Sequence, residues 1–242
     1  MKVNIELNNK TYSVDLGIGI NISTVLSNRN KLKAFYAPDV RIEPLVAGDF
    51  IGDIKQGSPV NFKNVMLNPH GNGTHTECLA HVHDIDWPIY KALPQSHFIA
   101  DLISVVPTLQ DQDYIIDSDQ LKQATSEAQA LIIRVNHTLT GDLSGTNPPY
   151  LTSSFMKKVL GLGYQHIVLE LPSVDKEDDG GEVANHKLFF EIADTPNKYK
   201  TITELVDIPN TIKDGQYLLD IQIINLDMDA SPSRLMLYPI ES

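Results

Sequence analysis

Four residues able to ligate a metal or carry a proton, His70, His75, Glu77 and His81, fall within twelve positions, in a segment that also holds Gly71 and Gly73. Imidazole and carboxylate donors in combination suit Zn, Mn or Fe. A hydrolytic centre needs about three protein ligands and an open position for water. An ion so held lowers the pKa of its water to about 7 and polarises a carbonyl. A neighbouring imidazole can then pass a proton to the leaving group. Gly73 gives the backbone freedom for a tight turn. Histidines that merely hydrogen-bond within a loop satisfy the same spacing, so on spacing alone the two readings stand level. The single cysteine, Cys78, permits no intramolecular disulfide and no Cys-rich zinc site. With no activating base in view, it reads as a small buried thiol.

The elements that must hold this segment follow from hydrophobic patterning. Val3, Ile5 and Leu7 alternate, Asn8-Asn9 supplies a turn, and Tyr12 and Val14 alternate again, which predicts a β-hairpin over about 1–16. Residues 44–54 read as a Pro/Gly-punctuated loop. Val60 to Leu67 reads as a strand broken by Asn68-Pro69-His70-Gly71, so the His/Glu segment lies in a loop aimed by a strand. Further strands are expected over Phe98 to Val106, Leu131 to Val135, Ile167 to Leu171, Leu218 to Leu226 and Arg234 to Tyr238. Ser118 is placed to cap a short helix through Ala128. Thr152 or Ser153 is placed to cap a second helix carrying Phe155, Val159 and Leu162, stopped by Gly161 or Gly163. Asp175 to Gly181 is acidic and Gly-rich, hence a loop. Interleaved helices with long strand-rich stretches predict a mixed-sheet α/β domain spanning 1–242, not a doubly wound parallel one.

With 242 residues, 42% of them apolar, the chain can build a sizeable core. Its formal net charge of −12 argues against a nucleic-acid partner, which would require a Lys/Arg surface. No run approaches the roughly 18 apolar residues that span a bilayer. The N-terminus lacks the pattern of a signal peptide. The expectation is a cytoplasmic protein with a small-molecule substrate.

The segment Gly73-Thr74-His75-Thr76-Glu77-Cys78-Leu79-Ala80-His81 resembles the signature His-x-Gly-Thr-His-x-Asp-x-Pro-x-His of the cyclase family of metal-dependent hydrolases, to which kynurenine formamidases and isatin hydrolases belong. Downstream, Pro172-Ser173-Val174-Asp175 resembles the family's Ser-x-Asp segment. His186 and Ile202-Thr203-Glu204 resemble its later His and Ile-x-Glu, and Asp229-Ala230-Ser231-Pro232-Ser233-Arg234 its closing stretch. The resemblance implies a swivelling β/β/α fold, a homodimer or higher homo-oligomer, and one or two divalent ions, Zn or Mn. It implies His75, Glu77, His186 and Glu204 as metal ligands and His81 as general acid/base. The implied reaction is attack of a metal-held water on an amide, formamide or lactam-like C–N bond. Two alternatives remain: a drifted member that binds a small molecule without turnover, and a metal-dependent lyase or dehydratase.

Three departures from the family pattern stand out. The family's first His falls at Gly71, whereas the imidazole here is His70. Glu77 replaces Asp and carries its carboxylate outward by one methylene, roughly 1.5 Å. Leu79 replaces Pro. A bulge at the Gly-flanked loop would let His70 join His75 and Glu77 as a ligand; a His70 that only hydrogen-bonds in the loop is the alternative. A ligand set through His81 and His83, with Asp84 and Asp86 nearby, is a minority reading. His137 could contact substrate, His97 and His166 read as structural, and Trp87, Tyr90 and Phe98 read as core before pocket. Glu177, Asp178 and Asp179 read as a solvated acidic loop before a cation site.

Overall fold

The computed structural model describes residues 1–7, 9–122, 124–125, 127–135 and 140–241. Alternation builds its first element: β1 (Lys2–Leu7) pairs antiparallel with β2 (Lys10–Asp15), Val3 opposite Val14 and Ile5 opposite Tyr12. Next comes an antiparallel ribbon of β3 (Arg41–Pro44) and β4 (Lys63–Met66). The segment between them, expected as loop, contains a shorter ribbon, Val46–Ala47 with Phe50–Ile51, and a 3-10 turn at Ile54–Gln56. The strand expected over Val60 to Leu67 is thus confined to its middle.

The remaining strands are β5 (His75–Cys78), β6 (His97–Val105), β7 (Ala130–Val135), β8 (His166–Leu169), β9 (Thr201–Glu204), β10 (Gly215–Ile223) and β11 (Ala230–Glu241). They close into a ring ordered β11-β10-β6-β7-β8-β9-β5, with β5 returning to β11. β6 to β9 run parallel, and the other contacts are antiparallel. Every residue of β7 is buried, which explains its unbroken apolar run. Its alternate residues serve two cores: Ala130 and Ile132 pack with Phe98, Leu102, Val168 and Leu235, and Leu131, Ile133 and Val135 pack with helix residues.

Those helix residues belong to α1 (Ser153–Leu162). The Thr152 hydroxyl accepts the Phe155 amide at its start, Phe155, Met156 and Val159 are buried, and Gly163 ends it at φ 85°. A second helix, α2 (Ala184–Phe189), packs beside α1. The helix expected from Ser118 to Ala128 is absent from the described residues beyond a 3-10 turn at Ser118–Gln120, capped by Asp117. The Thr125 amide is instead taken by the Asp101 carboxylate at 2.8 Å and the Tyr164 hydroxyl at 2.9 Å, so no helical carbonyl receives it.

Among the described residues no helix is long and apolar enough to cross a membrane.

Candidate metal centre

β5 carries the centre because its neighbours fix it on both edges. Against β9, His75 lies opposite Glu204 and Glu77 opposite Ile202; against β11, Glu77 lies opposite Ala230. A strand's period of two puts His75 and Glu77 on one face and Thr76 on the other. There Thr76 Oγ1 lies 2.8 Å from the hydroxyls of both Thr203 and Ser233, tying the three strands together. α2 adds His186. Asp175, in the loop before α2, accepts the amides of Asn185 (2.7 Å) and His186 (3.2 Å) and the His186 Nδ1–H (2.6 Å). Asp175 therefore starts the helix and aims its imidazole.

The structure brings six sequence-predicted residues around one point. His186 Nε2 lies 2.8 Å from Glu77 Oε1 and 3.8 Å from Glu204 Oε1. His75 Nε2 lies 3.5 Å from Glu204 Oε2. His70 Nδ1 and His81 Nε2 lie 3.1 Å and 3.7 Å from Glu77 Oε2. His70, His75 and Glu77 have ligand spacing, and so do Glu77, His81 and His186. His83 joins no such group among the described residues, and neither do Asp84 or Asp86.

The donor chemistry fits a cation. His75 Nδ1 donates to the Gly73 carbonyl at 3.0 Å and His186 Nδ1 to Asp175, which leaves each Nε2 as a lone pair facing carboxylate oxygens. His75 Nε2 and Glu77 Oε1 are both buried without a hydrogen-bond partner, and the 2.8 Å approach of His186 Nε2 to Glu77 Oε1 lacks hydrogen-bond alignment. Lone pairs that converge without a proton between them are satisfied by a metal ion.

The charges agree. Burial pushes the Glu77 carboxyl up, but the imidazoles of His186, His70 and His81 outweigh it and hold Glu77 well below the usual range. Burial and the Glu77 charge raise Glu204. Burial pushes His186 down, yet Glu77, Asp175 and Glu204 raise it well above an ordinary histidine. His70, lowered by burial but held by Asp229 and Glu77, rises to about 10.

Gly71 explains the displaced histidine. A Cβ there would stand 2.3 Å from the Ala37 Cβ and 3.0 Å from the Ala34 carbonyl, so the position admits no side chain. The turn Ala34 to Ala37 occupies that place, and the Ala34 amide donates to the Gly71 carbonyl at 3.0 Å. Gly73, at φ 98°, makes the bend that returns the chain to β5.

A cavity of about 350 Å³ opens on the cluster, walled by Phe35, Ala37, Ser173, Lys176 and Val183. Phe35 and Tyr36 hold φ of 54° and 55°, an uncommon left-handed pair, and the Tyr36 amide donates to the Ser144 hydroxyl at 2.8 Å. Patterning gives no sign of Phe35. Trp87, Tyr90 and Phe98 do not line this cavity. Cys78 is buried, its thiol pushed by burial up to about 12 and donating to the Trp87 carbonyl. His97 is exposed and bonded to Ser96, while His166 is buried against Phe98. Glu177 accepts the amides of Gly145 and Asn147 in an ordinary loop role. His137 lies outside the described residues. Two carboxylates at the centre had no role assigned from sequence, Asp175 and Asp229; the latter lies 2.9 Å from His70 Nε2 and 3.1 Å from His81 Nδ1.

Comparison with solved structures gives the same fold. "The Structure Of Potential Metal-Dependent Hydrolase With Cyclase Activity" aligns at TM-score 0.66 and 12% identity, covering 93% of this chain and 99% of that one. A predicted metal-dependent hydrolase from Bacillus stearothermophilus aligns at 0.64 and 12%, covering 91% and 98%. Isatin hydrolase A from Labrenzia aggregata, bound to benzyl benzoate, aligns at 0.63 and 11%, covering 93% and 94%. No curated protein sequence matches. The model of the Cyclase family ("Putative cyclase") matches residues 14–176, which takes in His70 to His81 and Asp175 but stops short of His186, Glu204 and Asp229. On that match, and with the mixed-sheet swivelling β/β/α fold of its structural neighbours, the chain belongs to the Cyclase family.

Proposed function

We propose that this protein is a metal-dependent hydrolase that cleaves an amide, formamide or lactam-like C–N bond, with arylformamidase-like specificity. One observation carries the reading: His75 Nε2 and Glu77 Oε1 are buried and unpartnered, and Glu77 lines an accessible cavity together with His70, His81, His186 and Glu204. His75, Glu77, His186, Glu204 and His70 would hold one or two Zn or Mn ions. An ion bound there supplies an activated water and polarises the substrate carbonyl. Glu77 and Glu204 hold the negative charge that the ion requires, and Asp175 keeps the His186 Nε2 lone pair turned inward. His81, with its side chain 30% exposed at the cavity rim, is free to receive a proton at Nε2 and return it to the leaving nitrogen. Phe35 offers an apolar wall to a ring on the substrate. The names of the structural neighbours, isatin hydrolase among them, support hydrolysis of this kind.

The test is turnover of simple N-formyl anilines by zinc- or manganese-reconstituted protein, with and without chelator. Chelator-sensitive formate release and one to two metal equivalents are expected. Bound metal without turnover would favour the small-molecule-binding alternative, and a product with a new double bond would favour a lyase.

A homodimer and a cytoplasmic location complete the proposal. The ribbon of β3 and β4 exposes Val65 and Met66, the segment between its strands exposes Val46 and Phe62, and a two-stranded ribbon is marginal in water by itself, so we place the partner copy there. Sedimentation should give a dimer that Phe62→Lys with Val65→Lys converts to monomer.

A further inference from the structure

We propose that Asp229 is a positioning residue that sets the tautomers of His70 and His81 together. Its role in turnover rests on the hydrolase reading above; its effect on the two rings does not.

The rings are stacked, with centroids 4.3 Å apart and planes 29° from parallel. On the outer side, His70 Nε2 and His81 Nδ1 both reach a single atom, Asp229 Oδ2, at 2.9 Å and 3.1 Å. On the inner side, His70 Nδ1 and His81 Nε2 both face a single atom, Glu77 Oε2, at 3.1 Å and 3.7 Å. Two carboxylate oxygens therefore bracket two imidazoles. A neutral imidazole carries one N–H, and its other nitrogen is a lone pair. An ionised carboxylate only accepts, so at Asp229 each ring must present an N–H. With a metal ion held on the Glu77 side in place of a proton, each ring keeps its one N–H for Asp229, which leaves His70 Nδ1 as a ligand atom and His81 Nε2 as a base, both turned inward.

The backbone holds Asp229 in register with Glu77. The Cys78 amide donates to the Asp229 carbonyl at 3.0 Å, and the next residue, Ala230, pairs with Glu77 across β5 and β11. The distance between the two bracketing carboxylates is thus fixed by one antiparallel strand pair. His70 departs by one position from the family pattern, and Asp229 supplies the outer contact that steadies it there.

The experiment uses zinc-loaded protein labelled with ¹⁵N-histidine, read by long-range imidazole ¹H–¹⁵N spectra, in wild type, Asp229→Asn and Asp229→Ala. Wild type should show His81 protonated at Nδ1 and His70 at Nε2. Asp229→Ala should release His81 to the Nε2–H form that free imidazole prefers. Asp229→Asn, which keeps an acceptor oxygen, should retain the wild-type tautomers. Both variants should bind the wild-type number of zinc equivalents. On any N-formyl anilide that wild type hydrolyses, Asp229→Ala should lose about 10–100-fold in kcat at little changed KM, with Asp229→Asn recovering part of the loss. His81 protonated at Nε2 in wild type would overturn the proposal, as would unchanged tautomers in Asp229→Ala. Loss of zinc in Asp229→Asn would make Asp229 a ligand instead, since His70, His81 and Asp229 themselves have ligand spacing. The spectra need no substrate, so they decide the positioning role even if no anilide is hydrolysed and the hydrolase reading fails.

Discussion

His166 and His186 are buried almost equally, at 5% and 3% exposed, yet they titrate in opposite directions. His166 opens β8, shares a hydrogen bond with the Thr201 hydroxyl at 2.8 Å, and packs 4.0 Å from the Phe98 ring. Burial acts there unopposed and pushes its pKa to about 3. His186 pays the same desolvation, but Glu77, Asp175 and Glu204 surround it and raise it well above the ordinary value. Depth in the fold therefore says little about whether a histidine does chemistry. The partners decide: a hydroxyl and a phenyl ring make a neutral core residue, and three carboxylates make a cluster with the charge and, through Glu77 and His81, the spacing a cation would need.

Substitution should widen that contrast most. His186→Leu is expected to lose bound metal and to drop turnover to background, whereas His166→Leu keeps its metal complement and activity. Metal analysis after dialysis checks both, and metal loss in His166→Leu would erase the distinction. Next in size, His81→Ala should lower kcat by about 10²–10⁴ with metal content intact; metal loss there would promote His81 to a ligand.

The core histidine makes a smaller, pH-dependent prediction. The folded pKa of His166, about 3, lies below its unfolded value of about 6.5. Its contribution is complete above pH 6.5 and is lost as pH falls toward 3, because the unfolded chain takes the proton first. Between pH 6.5 and 5 the loss is about 2 kcal/mol. Denaturant midpoints at the two pH values should show it in wild type and not in His166→Leu. The smallest effect belongs to Thr76→Val on the face of β5 turned from the centre. Leaving the Thr203 and Ser233 hydroxyls short of a partner should cost about 1–3 kcal/mol with metal binding unchanged.

Legibility in the sequence followed the range of the interactions. The strands that read clearly, β6, β7 and β8, are apolar runs with strong local signals, and their ends lie within one or two residues of expectation. His75, Glu77 and His81 stood out because four residues of two metal-ligating types, His and Glu, crowd a short segment. Among the described residues the turn at Ser118 does not extend into a helix, because Asp101 and Tyr164, distant in sequence, claim the Thr125 amide. Asp229 meets His81 across 148 residues and Asp175 meets His186 across 11, and no spacing rule reports either meeting. Phe35 reaches the cavity through a pair of positive φ angles that its residue type does not announce.

The return of β5 to β11 has a consequence for synthesis of the chain. His75 pairs with Pro232 and Glu77 with Ala230, so the ligand strand waits for a partner made more than 150 residues later. Until then β5 has β9 on one edge and nothing on the other, and His70 and His81 lack Asp229. On the proposed reading, a nascent chain would gain its metal-binding competence in a late step, after β6 to β10 are available to form most of the ring. Pairing over such sequence separation also slows folding, because a long loop must close before any contact repays it. Metal uptake measured during refolding should accordingly lag behind the formation of the β6–β7–β8 core.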